Sequence, residues 1–218
     1  MFGKGKRMAL VYLSRIPESV HVRPLGCPVR DSYLETIPNP ARRAESYLSW
    51  LLLMYVLDTE YGVDLTHADV RRTPEGRWYA ADVPYSFSLS HTRDFVACAV
   101  SEEPVGVDIE RADRIGQRDA DAFLARFFHP GEREKHLHPV LAWSLKESVF
   151  KAGQGRYRNL LEADASICPF ALAYRWLSVG EPDTVLTLAG GSLKAETESV
   201  KAVWVSDGEL ERFPDDRI

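Results

Sequence analysis

Apolar and polar positions along the chain fall into blocks of two periods, one near two residues and one between three and four. Met8-Ala9-Leu10-Val11-Tyr12-Leu13 is a continuous apolar run and predicts a buried strand. Pro17, Pro24, Pro28, Pro38 and Pro40 punctuate the stretch after it, which reads as loop. From Ala41 to about Tyr61, the residues Ala44, Tyr47, Leu48, Leu51, Leu52 and Tyr55 recur at three- and four-residue steps. That is the signature of one buried helix face, and Gly62 is placed to end it. Pro74-Glu75-Gly76-Arg77 is a turn. Ser86-Phe87-Ser88-Leu89-Ser90 alternates strictly and Phe95 to Val100 is apolar, so the short His91–Asp94 connection predicts a hairpin.

The order then repeats. Val105 to Ile109 reads as a strand, Ala120 to Phe128 as a helix, and roughly His138 to Ala152 as a main helix running into Gly153-Gln154-Gly155. Strands are predicted near Val185–Leu188, Lys194–Glu196 and Lys201–Val205. The acidic, proline-containing stretch from Ser206 to Ile218 reads as a loose tail. Strand, long helix and antiparallel strands thus occur twice, about a hundred residues apart. The expected fold is α+β, with two pseudo-symmetric halves, residues 1–103 and 104–218, each a long helix packed on a small antiparallel sheet. The hinge would lie near Ser101–Pro104, and a cleft between two halves is a favoured place for a ligand.

With 218 residues, 45% hydrophobic and 27% charged, the chain can bury a full core without staples and has the composition of a soluble domain. A net charge of −5 argues against duplex nucleic acid as a partner and leaves a local basic pocket open. Cys27, Cys98 and Cys168 are far apart with no C-x-x-C, which fits a reducing cytosol better than a disulfide framework. The basic start Lys4-Gly5-Lys6-Arg7 leads into an apolar run that meets Arg15 too soon for a signal peptide. Trp50 to Leu57, the longest apolar stretch, is far short of a membrane span. A cytoplasmic protein with no membrane partner is expected.

Candidate chemistry sits in two blocks. On a strand, Asp108 and Glu110 share one face while Val107 and Ile109 take the other. Two carboxylates so presented can hold a cation, or can be the acidic outer face of a half-exposed strand. On the main helix, Glu147 and Lys151 stand one turn apart, roughly opposite an apolar stripe of Ala142, Leu145, Val149 and Ala152. Such a pair can be a solvated couple contributing about 0.3 kcal/mol. Trp143 and Phe150 on the same side argue for a site instead, because a solvated face rarely carries large aromatics. Three carboxylates with lysines beside them suit a Mg²⁺ ion holding a phosphate. Ser90 and His91 close the hairpin strand, where either could donate to a phosphate. Arg42, Arg43 and Arg77 lie at a helix start and a turn, positions where cations are usually solvated.

Taken in order, Ser90-His91, Gly106-Val107-Asp108-Ile109-Glu110 and Trp143-Ser144-Leu145-Lys146-Glu147-Ser148-Val149-Phe150-Lys151 resemble the 4′-phosphopantetheinyl transferase superfamily. Its marks are a G-[V/I]-D strand and a W-x-x-K-E-[A/S]-x-x-K helix. Phe127 to Glu132 is similar to the family's R-F-F-x-x-x-E segment, and the length matches the longer, single-chain, Sfp-type class. The resemblance spans about Gly76 to Gly155. It implies a Mg²⁺-dependent enzyme that transfers the phosphopantetheine arm of coenzyme A to a serine of an apo acyl, peptidyl or aryl carrier protein. Adenosine 3′,5′-bisphosphate would be released, and a monomer would suffice.

By that resemblance Asp108, Glu110 and Glu147 hold the metal against the CoA pyrophosphate, and Glu147 takes the serine proton directly or through water. Lys151 neutralises pyrophosphate charge with Lys146 nearby, and His91 contacts a phosphate with Ser90 assisting. Two departures bear on CoA binding. The family's G-K-P before the hairpin is Gly76-Arg77-Trp78 here, and Arg42 and Arg43 at the start of the first long helix are the nearest substitutes for its internal arginines. They keep open a second reading, a catalytically weak CoA-binding or assembly protein of the same fold. A magnesium-dependent nucleotide phosphohydrolase is a third.

Overall fold

In the computed structural model, which describes residues 10–116, 120–178, 183–191 and 202–213, two sheets lie face to face between two long helices. The elements in chain order are β1 (Leu10–Arg15), α1 (Pro28–Glu35), α2 (Pro40–Tyr61), β2 (Val70–Arg72), β3 (Trp78–Ala80), β4 (Ser86–His91), β5 (Phe95–Ser101) and β6 (Val105–Arg111). There follow α3 (Ala120–Phe127), α4 (Pro130–Arg133), α5 (Pro139–Ala152), a 3₁₀ turn (Leu160–Glu162), β7 (Ala171–Leu177), β8 (Thr184–Gly190), β9 (Ala202–Trp204) and α6 (Asp207–Arg212). The first sheet runs β4-β5-β1-β9, antiparallel except where β9 lies parallel to β1. The second runs β6-β8-β7, all antiparallel, and β2 and β3 form a separate ribbon. The α+β class read from the sequence is the class observed.

Both faces of the first sheet are covered, which is why residues 10–13 of β1 and 95–100 of β5 are apolar in succession rather than alternating. Tyr12, Val96, Cys98 and Val100 meet α2, whose Trp50, Leu53, Val56 and Leu57 are fully buried. Val11, Leu13, Ala97 and Ala99 turn the other way and pack on Val107, Ile109, Leu186 and Leu188 of the second sheet. Helix α5 covers the far face of that second sheet. Helix α2 begins on a cap, Asn39 Oδ1 accepting from Arg42 N at 3.1 Å with Pro40 in the first turn. It ends where Gly62 adopts φ 67°, a left-handed conformation that suits glycine.

The strict Ser-Phe-Ser-Leu-Ser alternation of β4 has a use beyond the hairpin. The Oγ atoms of Ser86, Ser88 and Ser90 accept the backbone N–H groups of Val105, Val107 and Ile109 at 3.4, 3.0 and 3.3 Å. Side chains at period two therefore stitch the edge of one sheet to the edge of the other, in place of a backbone ladder.

Four expectations change. Pro28 does not continue a loop but opens α1, a position where its missing N–H is no loss, and Asp31 Oδ1 caps the preceding turn by accepting from Leu25 N at 2.8 Å. Strand β7 was not read from the sequence, because Tyr174, Arg175 and Trp176 are exposed in succession on an edge strand and break any alternation. Helix α5 is buried almost all round, not along a stripe. The acidic stretch after Ser206 is not a loose tail over its described part. Ser206 and Glu209 form a reciprocal capping box, α6 follows, and Leu210 and Phe213 are buried. The expected strand at Lys194–Glu196 lies outside the described residues, as do Met8 and Ala9. Among the described residues, no helix is long and apolar enough to cross a membrane.

Candidate active site

Strand β6 delivers two carboxylates and helix α5 the third. Val107 and Ile109 enter the core between the sheets, so period two turns Gly106, Asp108 and Glu110 toward α5. Gly106 is what lets the helix come close: a Cβ there would run into the Ser148 carbonyl oxygen and stand 2.5 Å from the Ala152 nitrogen. At that approach the hydroxyls of Ser144 and Ser148 meet Thr187 Oγ1 of β8 at 2.9 and 2.5 Å. Glu147 is thereby carried over the strand. One carboxylate oxygen from each of Asp108, Glu110 and Glu147 lies within 4.8 Å of the other two.

Among the described residues, the cations around this trio are Lys151 and Arg114. Lys151 Nζ donates to Asp108 Oδ1 at 2.7 Å and to the Val107 carbonyl at 3.1 Å, and stands 3.7 Å from Glu147 Oε2. Arg114 Nη1 donates to Glu110 Oε1. Asp108 and Glu110 are buried, and two cations against three carboxylates leave an acidic centre. Burial first, then the Asp108 charge, push the Glu147 carboxyl up to about 7. Burial likewise raises Glu110, with Arg114 opposing it. Burial alone would lower Lys151, but the charges of Asp108 and Glu147 outweigh it and its ammonium is held above the ordinary value.

The donor set fits a hard divalent cation. Asp108 Oδ2 is buried and has no hydrogen-bond partner, a costly state for an ionised oxygen unless a cation lies against it. The three candidate ligands offer only oxygen, which suits Mg²⁺ and similar ions.

Beside the trio a cavity of about 340 Å³ opens between the β2–β4 segment and helix α5 with the loop after it. Arg77 comes to it from the turn after β2, Trp78 from the start of β3, Ser88 from β4, Glu147, Phe150 and Lys151 from α5, and Tyr157 from the loop beyond. Of the residues singled out from sequence, the structure thus gathers Asp108, Glu110, Glu147, Lys151 and Arg77. Ser90 joins them as a support, its hydroxyl donating to Asp108 Oδ1 at 2.8 Å.

The others stand apart. His91 points to the opposite side of β4 from Ser90, is 40% exposed, and holds Nδ1 3.3 Å from Glu45 Oε2 of α2. Burial, then the charges of Lys151 and Arg42, hold its imidazole down to about 4, so it is neutral at pH 7. Arg42 is exposed in the first turn of α2, close enough for its charge to be felt by His91 and Glu45. Both Nε and Nη2 of Arg43 donate to the Ile37 carbonyl, at 2.9 and 2.7 Å. Lys146 is fully buried: Nζ donates to Glu132 Oε2 at 2.8 Å and to the Ala163 carbonyl at 2.6 Å.

Sequence reasoning did not find Arg114, Glu45, or the role of Glu132. The Phe-Phe-x-x-x-Glu segment marked Glu132 but not its partner, which lies on α5. Arg114 carries no local signal at all, because a four-residue spacing has no meaning where a strand runs out into a turn.

Comparison with known proteins agrees with the resemblance read from the motifs. Residues 104–179 match the sequence model of the 4′-phosphopantetheinyl transferase superfamily. The chain is 36% identical over 86 residues to the 4′-phosphopantetheinyl transferase gsp of Aneurinibacillus migulanus, covering 35% of each protein. It is 29% identical over 123 residues to the transferase psf-1 of Bacillus pumilus, covering 53% of this chain and 52% of that one. With the transferase Sfp of Bacillus subtilis (strain 168), identity is 26% over 107 residues, covering 46% and 48%. The chain thus spans between about a third and about half the length of these curated relatives.

Proposed function

A chain whose residues 104–179 carry the 4′-phosphopantetheinyl transferase pattern, we propose, transfers the phosphopantetheine arm of coenzyme A to a serine hydroxyl of an apo acyl, peptidyl or aryl carrier protein. Adenosine 3′,5′-bisphosphate is the other product, and Mg²⁺ is the required ion. The observation that carries the reading is the convergence of three carboxylates, one with a buried oxygen lacking a partner, beside a cavity that Glu147, Lys151 and Arg77 line. One chain contains both walls of that cavity, so a monomer suffices, and CoA as substrate places the reaction in the cytoplasm.

Asp108, Glu110 and Glu147 would hold the ion, which when bound supplies charge neutralisation at the pyrophosphate oxygens. Lys151 and Arg77 bring fixed positive charge to the same cavity, where transfer depends on positioning and charge neutralisation more than on covalent help. The serine Oγ–phosphorus bond forms, the bridging P–O bond of the pyrophosphate breaks, and the hydroxyl proton passes to Glu147 directly or through water. His91 and Arg42, on the neighbouring edge of β4 and α2, are the groups suited to a further phosphate of CoA. A neutral His91 can donate one N–H there without adding charge.

The second reading, a CoA-binding protein with weak or no transfer, draws on Arg43 and His91, since one is tied to Ile37 and the other lies beside the Glu45 carboxylate. Incubation with CoA, Mg²⁺ and a panel of apo carrier proteins decides between them. Mass gain on a carrier with release of the bisphosphate supports the transferase. CoA binding without mass gain on any carrier supports the binding protein, and nucleotide release without a carrier supports a hydrolase. Arg42→Ala should raise KM for CoA and spare a CoA lacking the 3′-phosphate; equal losses on both remove Arg42 from that role.

A further inference from the structure

We propose that Arg114 is an exchangeable counter-ion for Glu110, occupying a carboxylate that the metal draws on and so setting how tightly the acidic trio binds a divalent cation. The inference rests on the metal site of the proposed function and adds a residue that the motifs do not assign to it. Its warrant is geometric. Arg114 Nη1 donates to Glu110 Oε1, and a carboxylate oxygen of Glu110 lies within 4.8 Å of oxygens from Asp108 and Glu147, so the guanidinium stands on a carboxylate that the metal would draw on. Glu110 is 7% exposed at its side chain and Arg114 is 49% exposed, so the acid is fixed while the base has solvent to withdraw into.

Arg114 also has a second resting place. Its guanidinium carbon lies 5.7 Å from the Trp143 ring centroid, and Trp143 is held in turn by edge-on contacts to Phe123 and Phe127 at 5.0 and 5.6 Å. The face of Trp143 can keep the cation at the rim after Glu110 lets go. Lys151 is differently placed: it bonds Asp108 Oδ1 and leaves Oδ2 open. Two cations therefore act on two ligands in different ways, Lys151 as a fixed brace and Arg114 as a removable one.

Removing the removable one should make divalent binding tighter, because a positive charge is taken from beside the incoming ion. The effect expected for a half-exposed guanidinium is about five- to tenfold in Kd. The test is Mn²⁺ titration by calorimetry on wild-type protein and on Arg114→Gln, Arg114→Lys and Glu147→Gln, with no CoA or carrier present. The expected result is tighter Mn²⁺ binding by Arg114→Gln, wild-type-like binding by Arg114→Lys, and loss of binding by Glu147→Gln. Unchanged or weaker binding by Arg114→Gln, with wild-type binding intact and dependent on Glu147, overturns the role of Arg114 alone. Absence of Glu147-dependent binding in wild type overturns the metal site and this inference together.

Discussion

Lys151 Nζ meets Asp108 Oδ1 at 2.7 Å across 43 residues of sequence, and this contact braces helix α5 on strand β6 at the acidic trio. Lys151→Met keeps the length of the side chain and removes the charge, leaving a buried carboxylate with Ser90 as its remaining donor. The metal-free variant should lose about 2 kcal/mol of stability, with Lys151's partial exposure keeping the loss below that of a fully buried pair. Mg²⁺ should restore part of that loss, and transfer should fall by about a hundredfold or more. Thermal melts with and without Mg²⁺ check the first part, and carrier mass gain the second. An unchanged melting temperature would contradict the brace.

Glu147 gives the site a pH signature. Its carboxyl titrates near 4.5 when exposed and is pushed up to about 7 in the fold, by burial and then by Asp108. Over that interval the folded state keeps a proton the unfolded chain has released, so this group's contribution to stability falls as pH rises through the window. His91, held down to about 4, acts in the opposite direction over part of the same range. The clean measurement is therefore a difference: without metal, Glu147→Gln should melt several degrees above wild type at about pH 7.5 and converge with it below about pH 4.5. Saturating Mg²⁺ should erase the wild-type deficit, because it favours the ionised carboxylate. A difference that stays flat with pH would rule out burial of the Glu147 charge as its origin.

Gly106→Ala tests the close approach of helix and strand. The added methyl would meet the backbone of α5, at Ser148 and Ala152, so no side chain can swing away to make room. The expected loss is about 3 kcal/mol or more, together with displacement of Glu147 from the trio. Circular dichroism melts and Mn²⁺ titration report the two effects, and a melting temperature within a degree of wild type would count against the packing described.

Lys146 and Lys151 should separate cleanly by phenotype. Lys146→Ala strands Glu132, which also accepts the backbone N–H groups of His129 and Ala165 at 2.9 Å, and should lower stability by about 3–5 kcal/mol. Lys146→Met, which fills the same space, should fold at reduced temperature and bind Mn²⁺ within about twofold of wild type, since Lys146 points away from the trio. KM for CoA should likewise be unchanged in Lys146→Met at temperatures where it is folded. A rise in KM there would return Lys146 to the CoA site.

What the sequence disclosed follows from how local the signal was. The alternation of β6 and the one-turn spacing on α5 are local, and Asp108, Glu110, Glu147 and Lys151 come together as those periods require. The burial of Lys146, the lysine next in sequence to Glu147, is not legible for the same reason. A helical wheel separates apolar from polar faces, and a helix buried all round has no polar face to display. The resemblance sets Lys146 near the pyrophosphate, while its partner Glu132 sits on a separate short helix that no periodicity links to it. Arg114 and Glu45 were silent for a related reason: each matters through a contact with a residue from another turn or element.

Strand β9 and helix α6 carry a consequence for how the protein is made. Val205 N donates to the Leu13 carbonyl at 2.8 Å, β9 pairs with β1, and Phe213 packs edge-on against Tyr55 of α2 at 5.5 Å. The first sheet is therefore finished by the last elements described. On the ribosome, β1 must keep an open strand edge while the second half is translated, about 5–20 s at ordinary elongation rates. Order of synthesis and order of packing differ in this chain, and the nascent first half is the stage at which mispairing threatens it most.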